Sequence, residues 1–252
     1  MYSFEYSFEP MSRSPVPSFS LKSAEKRSAF SLTELLVGIA VISALAVLAL
    51  VAVQSARVAT DRARCVHQLR QAGIAVMAYT ANRNQVLQTF AGGVPELEIW
   101  GNQLLRERLI TKEGKGLLRC PSSPAGYDVD NVNWYWSAYG INVSNTTYGS
   151  LITGRKPGES IYRLPLPAVP EPSRFVLLAD SGGAGRNAAG VRTQTFRLHN
   201  LPRYESGVIA RHRGHANVYF LDGHVESVPE ARFADLDVPY HDTTDRFRPR
   251  VP

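Results

Sequence analysis

The sequence predicts an α+β protein in which a long N-terminal helix, its first half transmembrane, is packed on a head with an antiparallel β-sheet. Three observations lead there. Residues 35–56 carry no charge. Apolar and small residues then recur at helical spacing from Val58 to Tyr79. Beyond Asn84 the chain turns to short β-rich runs set among Gly and Pro.

Residues 1–29 come first. They hold Pro10, Pro15 and Pro17 among many serines, a composition that buries too little apolar surface to order a chain. The stretch from Met1 to Ser20 reads as disordered.

The next element is the span. A helix over Leu35–Ala56 would reach about 33 Å, against a hydrocarbon core of about 30 Å. In lipid a single segment must be helical, because each backbone N–H and C=O needs a partner within it. The run is longer than the apolar core of a secretory signal and no clean Ala-x-Ala site follows it, which favours a retained anchor. Lys22, Lys26 and Arg27 precede the span and Arg57, Arg62 and Arg64 follow it. The first group favours a cytoplasmic N-terminus with the head across the membrane; the second group opposes that orientation.

Past the span, Val58, Cys65, Leu69, Ala72, Val76 and Tyr79 fall on one helical face while Asp61, Arg62, Arg64 and Arg70 occupy the rest. That pattern predicts an amphipathic continuation ending near Asn82–Asn84. Gly73 on the stripe would let the helix come close to a sheet. The helical region is therefore 30–84 and the head 85–252. Within the head, Phe175–Ala179 reads as a buried strand. Asp222-Gly223 lies between two β-rich runs, Asn217–Leu221 and His224–Val228, which predicts an antiparallel hairpin with a two-residue type I′ turn. Residues 181–200 read as a long loop, and the last dozen residues, with Arg246, Arg248 and Arg250, as a frayed basic tail.

Composition removes several functions. With 44% hydrophobic and 20% charged residues the chain is an ordinary folded protein. A net charge of +6 is mild: it fits weak contact with anionic lipid or nucleic acid and establishes neither. Two cysteines rule out a disulfide-dense scaffold and a zinc site of paired CxxC motifs. There is no Gly-x-Ser-x-Gly elbow beside Asp180-Ser181, and Gly182-Gly183-Ala184-Gly185 lacks the Gly-Lys ending of a phosphate loop. No enzyme activity is expected.

Glu34 stands out at the entrance to the span. A carboxylate there needs a partner or a proton, unless it simply serves the helix N-terminus. Its setting is Lys26-Arg27-Ser28-Ala29, then Phe30-Ser31-Leu32-Thr33-Glu34, then the apolar run. This resembles type IV prepilins and type II secretion pseudopilins: a basic leader, Gly or Ala, Phe-[Ser/Thr]-Leu-x-Glu, and about 20 apolar residues. The resemblance implies a pilin-like fold. It also implies cleavage between Ala29 and Phe30 by a prepilin peptidase, which makes 1–29 a disordered leader of 29 residues from Met1 or 19 from Met11, and N-methylation of Phe30. Ala29 replaces the commoner Gly. Glu34 of one subunit would then pair with the Phe30 ammonium of the next, offsetting two desolvation penalties and setting the register.

A second set of segments extends the likeness along the chain. His212, nine residues, then Asp222-Gly223 matches an H-x9-DG element (212–223) of prepilin-like proteins. Cys65–Gly73, Leu118–Ser122 and Leu177–Ser181 resemble other stretches of that group, with His67 and Gln68 as departures. Asp180, His212, His215, Asp222 and His224 are of types that ligate metals. The plainer expectation is that Asp222 builds the turn, His212 bonds loop backbone, and His215 and His224 are solvated, with no metal and no cofactor. Cys65 and Cys120 are either a disulfide tying helix to head or two buried thiols.

The resemblance implies a structural subunit of a pilus or pseudopilus. Its partners would be the prepilin peptidase, other pilin-like subunits, an inner-membrane assembly platform and membrane lipid, without nucleic acid. The alternative is a single-pass anchored periplasmic binding module that forms no filament. The weakest option is a secreted hydrolase.

Overall fold

The computed structural model describes residues 31–84, 86–90, 99–124, 137–143, 161–200 and 202–249. The leader, the Ala29–Phe30 peptide bond and Arg250 lie outside them. The chain divides into two units, Met1–Leu50 and Val51–Pro252.

Helix α1 runs from Leu32 to Ala81. It begins with a capping box: the Ser31 hydroxyl accepts the Glu34 N–H at 3.2 Å, and Glu34 Oε2 accepts the Ser31 N–H at 2.9 Å. Two of the orphan donors at the helix start are thus satisfied reciprocally. The spacing Ser-x-x-Glu was there to read in the sequence. In the first unit every described side chain is exposed. Its one mid-span hydroxyl, on Ser43, bonds the Ile39 carbonyl at 2.7 Å, so the helix satisfies that polar group internally. By length and composition α1 is apolar enough to cross a membrane.

In the second unit the C-terminal half of α1 packs on the head, as the stripe predicts. Cys65, Leu69, Ala72, Gly73, Ala75, Val76, Tyr79 and Thr80 are buried. Gly73 is the point of closest approach: a Cβ there would sit 2.3 Å from the Tyr219 ring. The helix stops at Ala81, and Asn84 takes a left-handed conformation, φ 53°, at which Asn is tolerated.

The head contains strands β1 (Val86–Phe90), β2 (Gly140–Asn142), β3 (Ile161–Pro165), β4 (Val176–Ala179), β5 (Ser181–Gly182) and β6 (Arg197–Leu198). It continues with β7 (Gly207–Val208), β8 (His215–Phe220), β9 (Val225–Pro229), β10 (Tyr240–His241) and β11 (Phe247–Arg248). A short helix α2 covers Trp100–Arg106. The main sheet has the order β6-β2-β4-β8-β9. It is mixed, not antiparallel throughout, because β2 and β6 run parallel. A four-stranded sheet, β11-β10-β7-β5, also holds a parallel pair, and β1 pairs with β3 antiparallel. The expected strand Phe175–Ala179 is β4, buried along its length.

Both faces of the main sheet are covered. Tyr219 and Leu221 join α1, Trp100 and Phe196 in one core, while Val218 and Phe220 join Val176, Phe233 and Val238 in another. Alternate side chains of one strand thus serve two cores, which is why the β8 region reads as a nearly continuous apolar run.

Three local expectations change. The β8–β9 hairpin exists, but its loop is Leu221-Asp222-Gly223: the Gly223 N–H donates to Phe220 O, and the Phe220 N–H to His224 O. Only Gly223 has positive φ, at 96°, so the loop is a three-residue type with glycine in the left-handed position, not a type I′ turn. Residues 181–200 include β5 and β6. The basic tail is not frayed through its described part: β11 pairs with β10, and Asp245 receives Arg192 Nε at 2.6 Å while Arg248 bonds Asp242.

Candidate functional site

Four side chains from four separated segments meet beneath α1. Cys65 comes from the helix and Cys120 from the turn after the 3-10 segment Glu113–Leu118. Asp180 comes from the junction of β4 and β5, and His212 from the loop before β8. All four are buried, and their ligand atoms lie within 4.8 Å of one another. Asp180 Oδ1 accepts the Cys65 thiol at 3.3 Å. His212 Nε2 is 3.3 Å from both Cys120 Sγ and Asp180 Oδ2. The Tyr139 hydroxyl lies 3.2 Å from Cys65 Sγ.

Backbone geometry aims each group. Arg213 and Gly214 have φ of 52° and 80°, so the chain reverses sharply after His212. The His212 and Arg211 N–H groups then both donate to His215 O. Asp180 is held by its own N–H to Asn217 O and by the Asn217 N–H to its Oδ2, at 2.9 and 2.8 Å. The Cys120 N–H donates to Gln194 Oε1 at 3.0 Å. Ser122 Oγ lies 3.5 Å from His212 Nδ1 and faces the second ring nitrogen.

No family model, curated protein or solved structure matches the chain.

The charges of the cluster follow from burial and contact. Burial pushes the Cys65 thiol well up. Hydrogen bonding from Cys65, and then from His212, outweighs burial at Cys120 and pulls its thiol down. Burial would lower His212, but its bonds to Asp180 and Cys120 prevail and raise it to about 9. Arg211 is half-buried nearby and donates to Ser181 O and, at 3.2 Å, to Arg192 O. Burial lowers its pKa, opposed by attraction to Asp180 and both cysteines. The pocket therefore concentrates two cysteine sulfurs, a carboxylate and an imidazole in a buried place beside a half-buried guanidinium, where charge interactions are stronger than in water.

The structure regroups the residues singled out from the sequence. Asp180 and His212 come together, and the two cysteines join them as free buried thiols; they are not a disulfide. Their sulfurs are already engaged with Asp180, Tyr139 and His212. The expectation that His212 merely bonds loop backbone is corrected accordingly. His215 starts β8 with its ring against Arg213 O, at 3.2 Å. Asp222 and His224 pair with each other at 2.5 Å on the hairpin loop, where His224 stacks on Phe220. Glu34 caps α1. Among the described residues, the Cys65–Cys120–Asp180–His212 group is the one cluster of such side chains close enough to hold a metal ion. Every member lies in a segment already marked by resemblance, but those segments also hold His67, Gln68, Arg119, Ser122 and Ser181, so sequence alone does not select the four.

Proposed function

We propose that the chain is a prepilin-like structural subunit, cut by a prepilin peptidase between Ala29 and Phe30, methylated at Phe30 and assembled into a type IV pilus or type II secretion pseudopilus. The observation that carries this reading is the division of α1. One helix holds a fully exposed apolar stretch beginning just after the proposed cut, and a second stretch locked into the head's core. An apolar surface of that extent calls for lipid or neighbouring helices. The motif Phe30–Glu34 supplies the processing signal. Within one chain Glu34 caps its own helix through Ser31; a carboxylate accepts more than one donor, so a neighbour's Phe30 ammonium could share it.

Co-expression with a prepilin peptidase and intact-mass measurement tests the reading. The mature protein is expected to begin at Phe30 and carry one added methyl group. A chain that keeps its leader beside an active peptidase would sink it. The anchored binding module would then take its place, on the strength of a cleft of about 340 Å³ lined by Gly183, Thr195, Phe196, Arg197 and Tyr204, within the size range of small-ligand sites.

A further inference from the structure

We propose that Cys65, Cys120, Asp180 and His212 are the four ligands of a structural zinc ion in the head. The inference does not depend on leader cleavage or on filament assembly.

Geometry argues first. A tetrahedral zinc with Zn–S of about 2.3 Å and Zn–N or Zn–O of about 2.0–2.1 Å sets its ligand atoms about 3.3–3.8 Å apart. The contacts Cys65 Sγ–Asp180 Oδ1, Cys120 Sγ–His212 Nε2 and His212 Nε2–Asp180 Oδ2 are each 3.3 Å, and with one ligand atom taken from each residue no pair exceeds 4.8 Å. Small movements of side chains would centre an ion without moving the backbone.

Donor chemistry selects the metal. Two sulfurs, one imidazole nitrogen and one carboxylate suit zinc; calcium and magnesium require shells of six or more oxygens, which this pocket lacks. Four protein ligands close the coordination sphere, and all four residues are buried, so the site has no open position for water or substrate. That is the pattern of a structural ion.

The surroundings fit the same role. Metal-bound imidazole and carboxylate groups are ordinarily oriented by outer hydrogen bonds. Here Ser122 faces the free ring nitrogen of His212, and the Asn217 N–H holds Asp180. Two thiolates, one carboxylate and a divalent ion leave one net negative charge, which the half-buried Arg211 guanidinium, bonded to Ser181 O and Arg192 O, would neutralise. The ion would bind helix α1, the Cys120 turn, the end of β4 and the approach to β8 to one another. Because those segments are distant in sequence, binding would be coupled to folding of the head.

The test uses the full chain, purified in detergent under reducing conditions. Elemental analysis is expected to find about one zinc per chain, as one closed site requires. Stripping with a chelator should lower the melting temperature and expose two thiols to titration; Zn2+ should restore both, while Mg2+ and Ca2+ should not. Co2+ added to stripped protein should give intense tetrahedral visible bands and a thiolate charge-transfer band. Cys120→Ser should weaken the charge-transfer band by at least half, and His224→Ala, on the hairpin, should leave it unchanged. If Cys120→Ser does not fold, the wild-type cobalt spectrum decides alone. A folded wild-type chain that takes up neither zinc nor cobalt overturns the proposal, as does a cobalt spectrum without charge transfer or a Cys65–Cys120 disulfide in the reduced-handled native protein.

Discussion

His212 and Asp222 close the two ends of one short sequence element, and their surroundings are opposite. Around His212 the protein gathers residues from as far away as Cys65 and Cys120, excludes water and packs three further ligand atoms against the ring. Around Asp222 the side-chain contacts are local: its carboxylate takes the backbone N–H and the ring of His224, two residues on. A histidine beside an aspartate occurs at both ends. The difference lies in the number of distant segments that converge and in the desolvation they impose, which turns a similar pair from a surface turn into a candidate coordination site.

The strongest way to break this contrast is Asp180→Ala. It leaves the Asn217 N–H without its acceptor and takes the carboxylate away from the Cys65 thiol and from His212 in a dry pocket. Loss of about 3 kcal/mol or more is expected, read from the urea midpoint of the detergent-solubilised chain by near-UV circular dichroism. Gly73→Ala acts between the two ends, by driving a Cβ into the Tyr219 ring on β8. A loss of about 2 kcal/mol is expected, with Tyr219→Leu relieving part of it in a double-mutant cycle. The hairpin end should respond least. Gly223→Ala strains a backbone at φ 96° and should cost about 1 kcal/mol. Asp222→Ala should fall within about 0.5 kcal/mol in the same assay. A large effect at Asp222 beside a small one at Asp180 would invert the comparison.

Much of the fold was legible because it is local. The amphipathic stripe, the end of α1, strand β4 and the β8–β9 hairpin follow from periodicities of 3.6 and 2 and from turn residues close in sequence. Gly73 was legible too, as a gap in the stripe. The turn type was not: Asp-Gly suits either a two-residue or a three-residue loop, and the Phe220–His224 pairing of the flanking strands chose the latter. The parallel pairing of β2 with β6 was equally hidden, since each is three residues or fewer and has almost no pattern of its own. The last dozen residues read as a frayed basic tail, yet Asp242 and Asp245 meet Arg248 and Arg192 and hold its described part in place.

The amino-acid order by itself determined the apolar helix, its capped start at Ser31–Glu34 and the face that α1 turns to the head, because each is set by neighbours within a turn or two. Only the tertiary structure decided that Cys65, Cys120, Asp180 and His212 share one pocket. Cys65 and Asp180 are 115 residues apart and Cys120 and His212 are 92. No short-range propensity encodes such meetings; they arise from the order in which strands are laid beside one another and from the close seating of a helix over Gly73.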